Sequence, residues 1–326
     1  MNRFLVIGLG SMGKRRIRCL MKLGVNASKI YGCDVRINRC IEAKESYGIN
    51  ILGCVEEMDF SRTKAIIVSL PPDKHFWGVG FAEKHNIPVF VEASVVLDDV
   101  KKIKENNTNN IFIAPSATFR FHPMIKLIRQ IVADGRYGKV CNFSYHSGQY
   151  LPDWHPWEKV TDYYVGNRNT GGAREIVPYE LTWMVEVFGF PMHIKGYYRK
   201  TIDLGCDIED SYSCCLEYED KVGTLLVDVA SRFAVRNLII NFEYGQIQWR
   251  WDKEKLEIYD AKRGSWEYID QEKQVHEDGY NANIGENMYI DEIKAFLDGI
   301  EAPSMYPNDV DNDIKILELL NMIENV

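Results

Sequence analysis

Four residues that favour extended chain, Phe4-Leu5-Val6-Ile7, run straight into Gly8-Leu9-Gly10-Ser11-Met12-Gly13. Past these glycines Ile17, Leu20 and Met21 recur at helical spacing, and Gly24 offers a stop. A strand, a glycine-rich turn and a helix in that order leave few ways to fold. Gly8 permits the tight turn, Gly10 lets an anionic ligand approach the backbone, and Gly13 lets the helix close on the strand. The helix start then offers free N–H groups and the positive end of its dipole. Lys14, Arg15 and Arg16 crowd that first turn, where cations oppose the dipole by about 0.3–1 kcal/mol each. An anion bound nearby would explain them; a solvated basic face is the other reading.

The next strand, Lys29-Ile30-Tyr31-Gly32-Cys33, closes on Asp34, twenty-one residues past Gly13. That spacing fits the acid that accepts from a ribose 2′-OH in a dinucleotide-binding turn. NAD is the favoured ligand, and Arg36 and Arg39 close by leave NADP open. Further strands read at Ala65 to Leu70 (before Pro71-Pro72), at Val89 to Glu92 and at Ile111 to Ala114. Strands alternating with helices predict a parallel sheet covered on both faces. Ligands bind beyond the carboxyl ends of such strands. Gly10, Asp34, Ser69-Leu70-Pro71 and Glu92 all fall there, so one crevice should gather them.

From about residue 138 the pattern changes to long β-rich segments: Val140 to Tyr150, Met192 to Thr201, Tyr212 to Tyr218, Val222 to Val229, Leu238 to Tyr244 and Gln246 to Trp251. Between the first two lie a loop rich in aromatic and polar residues, Leu151 to Thr170, and a helical stretch from about Ala173 to Phe188. Tyr289, Ile293, Phe296 and Ile300 share one helical face, and a last helix fills Asn308 to Glu324. With 326 residues, two domains are expected. The expected architecture is a Rossmann dinucleotide-binding domain over 1–120, then an α+β domain with a large, mainly antiparallel open sheet over 121–326.

Composition narrows the partners. A net charge of −8 argues against a nucleic-acid or anionic-membrane surface while permitting a local basic pocket. The eight cysteines are too sparse for a disulfide scaffold and lack zinc spacing. They read as buried thiols in a reducing cytosol. No apolar run approaches the roughly 18 residues of a membrane span, and the first ten residues lack signal-peptide anatomy. A cytoplasmic protein is expected. No histidine spacing supports a metal.

In order along the chain, Gly8 to Gly13, Ser69-Leu70-Pro71-Pro72-Asp73-Lys74-His75, Phe119-Arg120-Phe121-His122-Pro123 and Gly171-Gly172-Ala173 resemble the glucose-fructose oxidoreductase and inositol dehydrogenase family, Gfo/Idh/MocA. The resemblance covers nearly the whole length. It implies an NAD(P)-dependent oxidoreductase of sugars, cyclitols or nucleotide-linked sugars, assembled as a homodimer or homotetramer through its open sheet. It also implies that His75 and Glu92 help define the nicotinamide end.

The chain departs from the family where chemistry is expected. The family carries Glu-Lys-Pro after the strand ending at Glu92, and here the run is Glu92-Ala93-Ser94. The family's aspartate and histidine on the helix after the glycines fall on Ile176 and Glu180. Glu180 is therefore the positional candidate for the base, with Tyr179 and His155 beside it. A buried carboxyl can be raised toward neutrality, a tyrosine lowered by positive charge, and a histidine needs no adjustment. The plainer readings are a scaffold salt bridge from Glu180 to Arg174 or Arg120, a packed Tyr179 and a loop-structuring His155. Trp154, Trp157 and Tyr163 suit the apolar faces and polar edges of a sugar. Arg120, Arg168 and Arg174 offer planar forks to a carboxylate or phosphate, or simply pair on the surface. The alternative to an enzyme is a dinucleotide- or sugar-binding homologue that lost hydride chemistry and serves as sensor or partner subunit.

Overall fold

The protein is described by a computed structural model covering residues 2–156, 158–271 and 285–325. The opening apolar run becomes strand β1 (Arg3–Ile7), and α1 (Ser11–Lys22) follows the glycines. The alternation continues with β2 (Ile30–Cys33), α2 (Ile37–Tyr47), β3 (Asn50–Ile51), β4 (Thr63–Val68), α3 (His75–Lys84), β5 (Val89–Val91), α4 (Leu97–Asn106) and β6 (Ile113–Pro115). The six strands form one all-parallel sheet in the order β3-β2-β1-β4-β5-β6. The central strands are apolar on both faces, as a sheet covered on both sides requires. Leu5, Ile7, Ile66, Val68, Val89 and Val91 pack with Val79 and Ala82 of α3 in one core.

The chain continues through α5 (Pro123–Asp134), β7 (Val140–Gly148) and α6 (Ala173–Phe188), then through β8 (His193–Arg199), β9 (Ser211–Glu217), β10 (Val222–Asp228), β11 (Val235–Phe242), β12 (Gly245–Arg250), β13 (Lys255–Asp260) and β14 (Ser265–Asp270). The His122 side chain accepts from the Met124 N–H at the start of α5, and Gly135 ends that helix in the left-handed region. The eight strands run β14-β13-β12-β11-β7-β10-β9-β8, antiparallel except for β7 beside β10. Alternation of buried and more exposed residues along β9 and β11, and along β10 up to its last two residues, which are both buried, gives this sheet one packed and one open face. On the packed face Phe143 stacks on Phe188 of α6 at 3.9 Å, and Tyr145 meets Trp183 edge-on at 5.1 Å. α6 is buried nearly all round, as a helix apolar on most sides must be. Strands β13 and β14 escape the sequence reading; β13 alternates with Leu256 and Ile258 buried, while β14 is exposed along most of its length.

The chain ends with α7 (Asn287–Gly299) and α8 (Val310–Glu324). It divides into two units, Met1–Thr118 with Asn287–Lys315, and Phe119–Glu286 with Ile316–Val326. A single cut at residue 120 therefore leaves out a return to the first unit. That return is driven by α7, whose buried face carries Tyr289, Ile293 and Phe296. Phe296 packs on Phe90 of β5 at 5.7 Å.

All eight cysteines are free; Cys54, Cys141 and Cys215 are exposed rather than buried. No helix among the described residues is long and apolar enough to cross a membrane.

Candidate functional site

In the first unit the glycine turn is built as its spacing demands. Gly8 has φ +91°, and a Cβ there would lie 2.4 Å from the Ser69 carbonyl oxygen. A Cβ on Gly13 would lie 1.9 Å from the Gly8 carbonyl oxygen. The end of β1, the start of α1 and the Ser69-Leu70 segment are thus in backbone contact, and only glycine fits. Asp34, at the end of β2, accepts from the Leu9 N–H at 2.7 Å and from the Arg36 N–H at 2.8 Å. Arg39 reaches back over the turn, 3.8 Å from the Asp34 carboxylate and 3.3 Å from where a Gly10 Cβ would stand. The structure brings Gly8, Gly10, Ser11, Met12, Gly13, Asp34, Ser69 and Leu70 together at the carboxyl ends of β1, β2 and β4.

The nicotinamide-end candidates are less free than the resemblance implies. Arg16 is fully buried and grips Glu92 through two parallel hydrogen bonds, Nε to Oε1 and Nη2 to Oε2, each 2.7 Å. Its remaining nitrogen donates to Glu292 of α7 at 2.7 Å. Glu292 also accepts from Ser116, Thr118 and the Ala117 N–H. Ser69 donates to Glu92 at 3.1 Å. His75 is buried, and its Nε2 lies 2.8 Å from the Leu70 carbonyl oxygen, past Pro71. Burial holds its imidazole neutral, with the pKa below the usual histidine value.

The basic first turn is not a solvated face. Lys14 pairs with Glu42, Arg15 lies over the Tyr289 ring at 4.3 Å, and Arg16 is held by two glutamates. The three cations serve internal partners.

In the second unit Glu180 has no exposed surface. It accepts from Ser147 and the Trp183 indole at 2.7 Å, Tyr145 at 3.1 Å and Arg236 at 3.4 Å. Its ionic partner is Arg236, not Arg174 or Arg120. Arg236 itself lies over the Phe119 ring at 4.7 Å. Arg174 forks onto Glu324, at 2.7 and 3.0 Å, and Arg120 donates to the Thr182 carbonyl oxygen at 2.8 Å. Arg168 is the exposed one, paired with Glu209 and 3.6 Å from Asp207. Tyr179 is half-buried, its ring 5.9 Å from Phe119.

The aromatic loop is organised by short 3-10 turns at Leu151–Asp153, Val160–Asp162 and Tyr164–Gly166. Within it His155 stacks on Tyr163 at 4.9 Å, with Glu158 3.7 Å from its Nδ1. Trp154 is half-buried, and its indole N–H finds no acceptor among the described residues. Trp157 lies outside the described residues.

One residue absent from the sequence candidates stands out in this region. Glu175, in the first turn of α6, accepts from the Tyr164 hydroxyl at 2.7 Å. Burial pushes its carboxyl up to about 7, and the Tyr164 hydrogen bond opposes that rise. It sits next to Ile176, the position compared with the family aspartate, and that neighbouring slot was the available signal.

A six-stranded parallel sheet in the first unit, and in the second a mainly antiparallel eight-stranded sheet backed by a long buried helix, define an α/β unit joined in sequence to an α+β unit. Residues 125–255 match the family model of the GFO/IDH/MocA C-terminal domain. The chain thus resembles the Gfo/Idh/MocA family in sequence over that segment and in fold over its length. No curated relative matches it by sequence. An oxidoreductase from Agrobacterium radiobacter, solved with NAD+, L-tartaric acid and magnesium, superposes with TM-score 0.84 at 14% identity, over 99% of this chain and 95% of that one. Levoglucosan dehydrogenase, solved with NADH, gives 0.80 at 13% over 100% and 96%. UDP-N-acetylglucosamine 3-dehydrogenase from Acidithiobacillus ferrooxidans gives 0.78 at 16% over 99% and 96%.

Proposed function

We propose that the protein is an NAD(P)-dependent oxidoreductase of a sugar, cyclitol or nucleotide-sugar derivative, with a catalytic set unlike the family's. The observation that carries this reading is the glycine turn of the first unit. Gly8 and Gly13 close it, Gly10 keeps it open to an approaching pyrophosphate, and Asp34 stands at the ribose position. A bound nicotinamide supplies a site that accepts or donates hydride. Solved structures sharing this fold contain NAD+ or NADH, and two of them are sugar or nucleotide-sugar dehydrogenases. NAD is favoured by the Asp34 carboxylate, while Arg36 and Arg39 keep NADP open.

The chain's own residues divide the remaining work. Ser11 and Met12 hold the helix start beneath the pyrophosphate, and Ser69, Leu70 and Pro71 wall the turn. His75 and Glu92 shape its far end through their hydrogen bonds to Leu70 and Arg16. In the second unit Trp154 and Tyr163 present aromatic surface to a sugar, Trp157 being the third aromatic of that loop's sequence, and exposed Arg168 meets an anionic substituent. Arg120 and Arg174 act through the scaffold. Glu180 belongs there too, since its acceptor positions are taken and it is closed to solvent. Proton handling falls instead to the loop that carries His155 and to the other polar residues of α6, Tyr179 among them. The unpaired thiols support a reducing compartment, and the open sheet face, with exposed Tyr197 and Val222, suits a homodimer or homotetramer.

Titration with NADH and NADPH, followed by fluorescence, tests the cofactor. Absorbance of reduced nicotinamide is then monitored with levoglucosan, myo-inositol and UDP-N-acetylglucosamine. Binding of neither dinucleotide would refute the proposal. A second reading, a binding homologue without hydride chemistry, is favoured by the ion-paired Glu92 and the alanine that follows it. It predicts NADH binding without turnover of any sugar.

A further inference from the structure

Glu175 and Glu180 share α6 but have opposite surroundings. Five residues at about 100° each place them on different sides of the helix. Glu180 accepts four hydrogen bonds and faces Arg236. Glu175 accepts one, from Tyr164 to Oε1, while its Oε2 is closed to solvent and meets no donor among the described residues. No cation pairs with Glu175 among the described residues. A carboxylate so poorly supported keeps its affinity for a proton, in accord with its rise to about 7. Tyr164, which donates to it, is half-buried in the loop that also carries Trp154, His155 and Tyr163. The Tyr163 ring stands edge-on to Tyr164 at 6.1 Å. The Thr170 hydroxyl holds the Tyr164 carbonyl oxygen at 2.9 Å and fixes the backbone there.

We propose that Tyr164 and Glu175 form the acid–base pair of the second unit's ligand site, Tyr164 meeting a ligand hydroxyl and Glu175 holding the proton behind it. This rests on the oxidoreductase reading above. In the oxidation direction the ligand O–H proton passes to Tyr164 Oη as the Tyr164 proton passes to Glu175 Oε1. An oxidised nicotinamide, when bound, would supply the acceptor for the hydride that leaves the carbon bearing that hydroxyl, whose bond to oxygen would become a carbonyl. Tyr164 is neutral before and after, and Glu175 ends as the acid. Reduction runs the same transfers backwards.

The test follows the proton and the turnover separately. Infrared spectra of the full chain between about pH 5 and about pH 9 report protonated carboxyl groups without any ligand. Wild type should show one that ionises near pH 7, absent in Glu175→Gln. In Tyr164→Phe it should ionise at higher pH, because the hydrogen bond that favours the carboxylate is gone. NADH fluorescence titration should be unchanged in both variants. With NAD+ and whichever of the three sugars is oxidised, Glu175→Gln should lose about 10²–10⁴-fold in kcat, the usual share of a general base. KM should stay near its original value, and the inflection near neutral pH should vanish. Absence of a carboxyl ionising near neutrality overturns the pair whatever the substrate. So does a Glu175→Gln protein with wild-type rate and pH profile. A wild type that binds neither dinucleotide refutes the oxidoreductase reading instead, which the infrared titration does not touch.

Discussion

Arg16 and Glu92 meet through two parallel hydrogen bonds of 2.7 Å in the first unit, and the arginine side chain has no solvent-exposed surface. With Glu292 on its third nitrogen, Arg16 stands between two carboxylates that would otherwise repel more strongly inside a low-dielectric core. Its removal leaves buried negative charge with no counterion. Arg16→Met should therefore destabilise the protein by about 3–5 kcal/mol, read as a lower urea midpoint. An unchanged midpoint would show that the cluster is not held as drawn.

The glycine turn yields a contrast between two small substitutions. A Gly13→Ala methyl collides with backbone, whereas a Gly10→Ala methyl meets only the mobile end of Arg39. Gly13→Ala should unfold the turn and lower the thermal midpoint. Gly10→Ala should fold normally yet bind NADH about tenfold more weakly or worse, a loss of about 1.4 kcal/mol or more. Equal NADH affinity in Gly10→Ala and wild type would contradict a pyrophosphate at that position.

Glu180→Gln separates scaffold from catalyst. The substitution removes the charge facing Arg236 while keeping the shape. Breaking a buried pair on one side costs about 3–5 kcal/mol, so the denaturation midpoint should fall. Turnover per folded molecule should hold within about threefold, since the general-base contribution of about 10²–10⁴ is assigned elsewhere. A kcat loss on that larger scale with unchanged stability would return the base to Glu180.

Acid should weaken the fold through its buried histidines. Burial, with Arg236 and Lys126 adding to it, holds His122 down to about 3. Between about pH 6.5 and that value the unfolded chain binds a proton the folded one refuses. Stability thus falls as pH falls through this window, by about 1.4 kcal/mol per unit from this group. His75, also depressed, adds in the same direction. His122→Asn retains a capping side chain and should flatten the slope of unfolding free energy measured from pH 7 downward. An identical slope would exclude His122 as the source.

Glu175 acts with the opposite sign. Its folded value near 7 lies above the ordinary carboxyl value of 4.5, so the folded state binds a proton there that the unfolded chain has released. Its contribution is complete below about pH 4.5 and is lost as pH rises through about 7. Glu175→Gln, neutral at every pH, should therefore be more stable than wild type at pH 8 by up to about 3 kcal/mol, and by less at pH 5. Urea midpoints at the two pH values decide it, and a stability difference independent of pH would contradict the raised carboxyl.

What was legible in the sequence followed from local grammar. Phe4 to Gly13 specify strand, turn and helix from neighbouring residues, and Asp34 follows at a fixed spacing. Glu180 could be flagged by position, but its partner Arg236 is 56 residues away. Arg16 and Glu292 are separated by 276. Such pairs depend on which strands and helices become neighbours, and no short window encodes that. Glu175 is a related case: its surroundings are set by how α6 and the aromatic loop pack, which its sequence neighbours do not encode. The boundary at residue 120 missed the return of Asn287–Lys315 because an amphipathic helix shows that it has a buried face, not which core receives it.

That return has a consequence during synthesis. The first unit is discontinuous, so residues 119–286 must leave the ribosome before α7 can supply Glu292 to Arg16. At about 5–20 residues per second, the nascent parallel sheet waits roughly 10–30 s, with Arg16 and Glu92 lacking their third partner. A chain released early would carry an unfinished first core, so a stall within the second unit exposes the first to quality-control proteases.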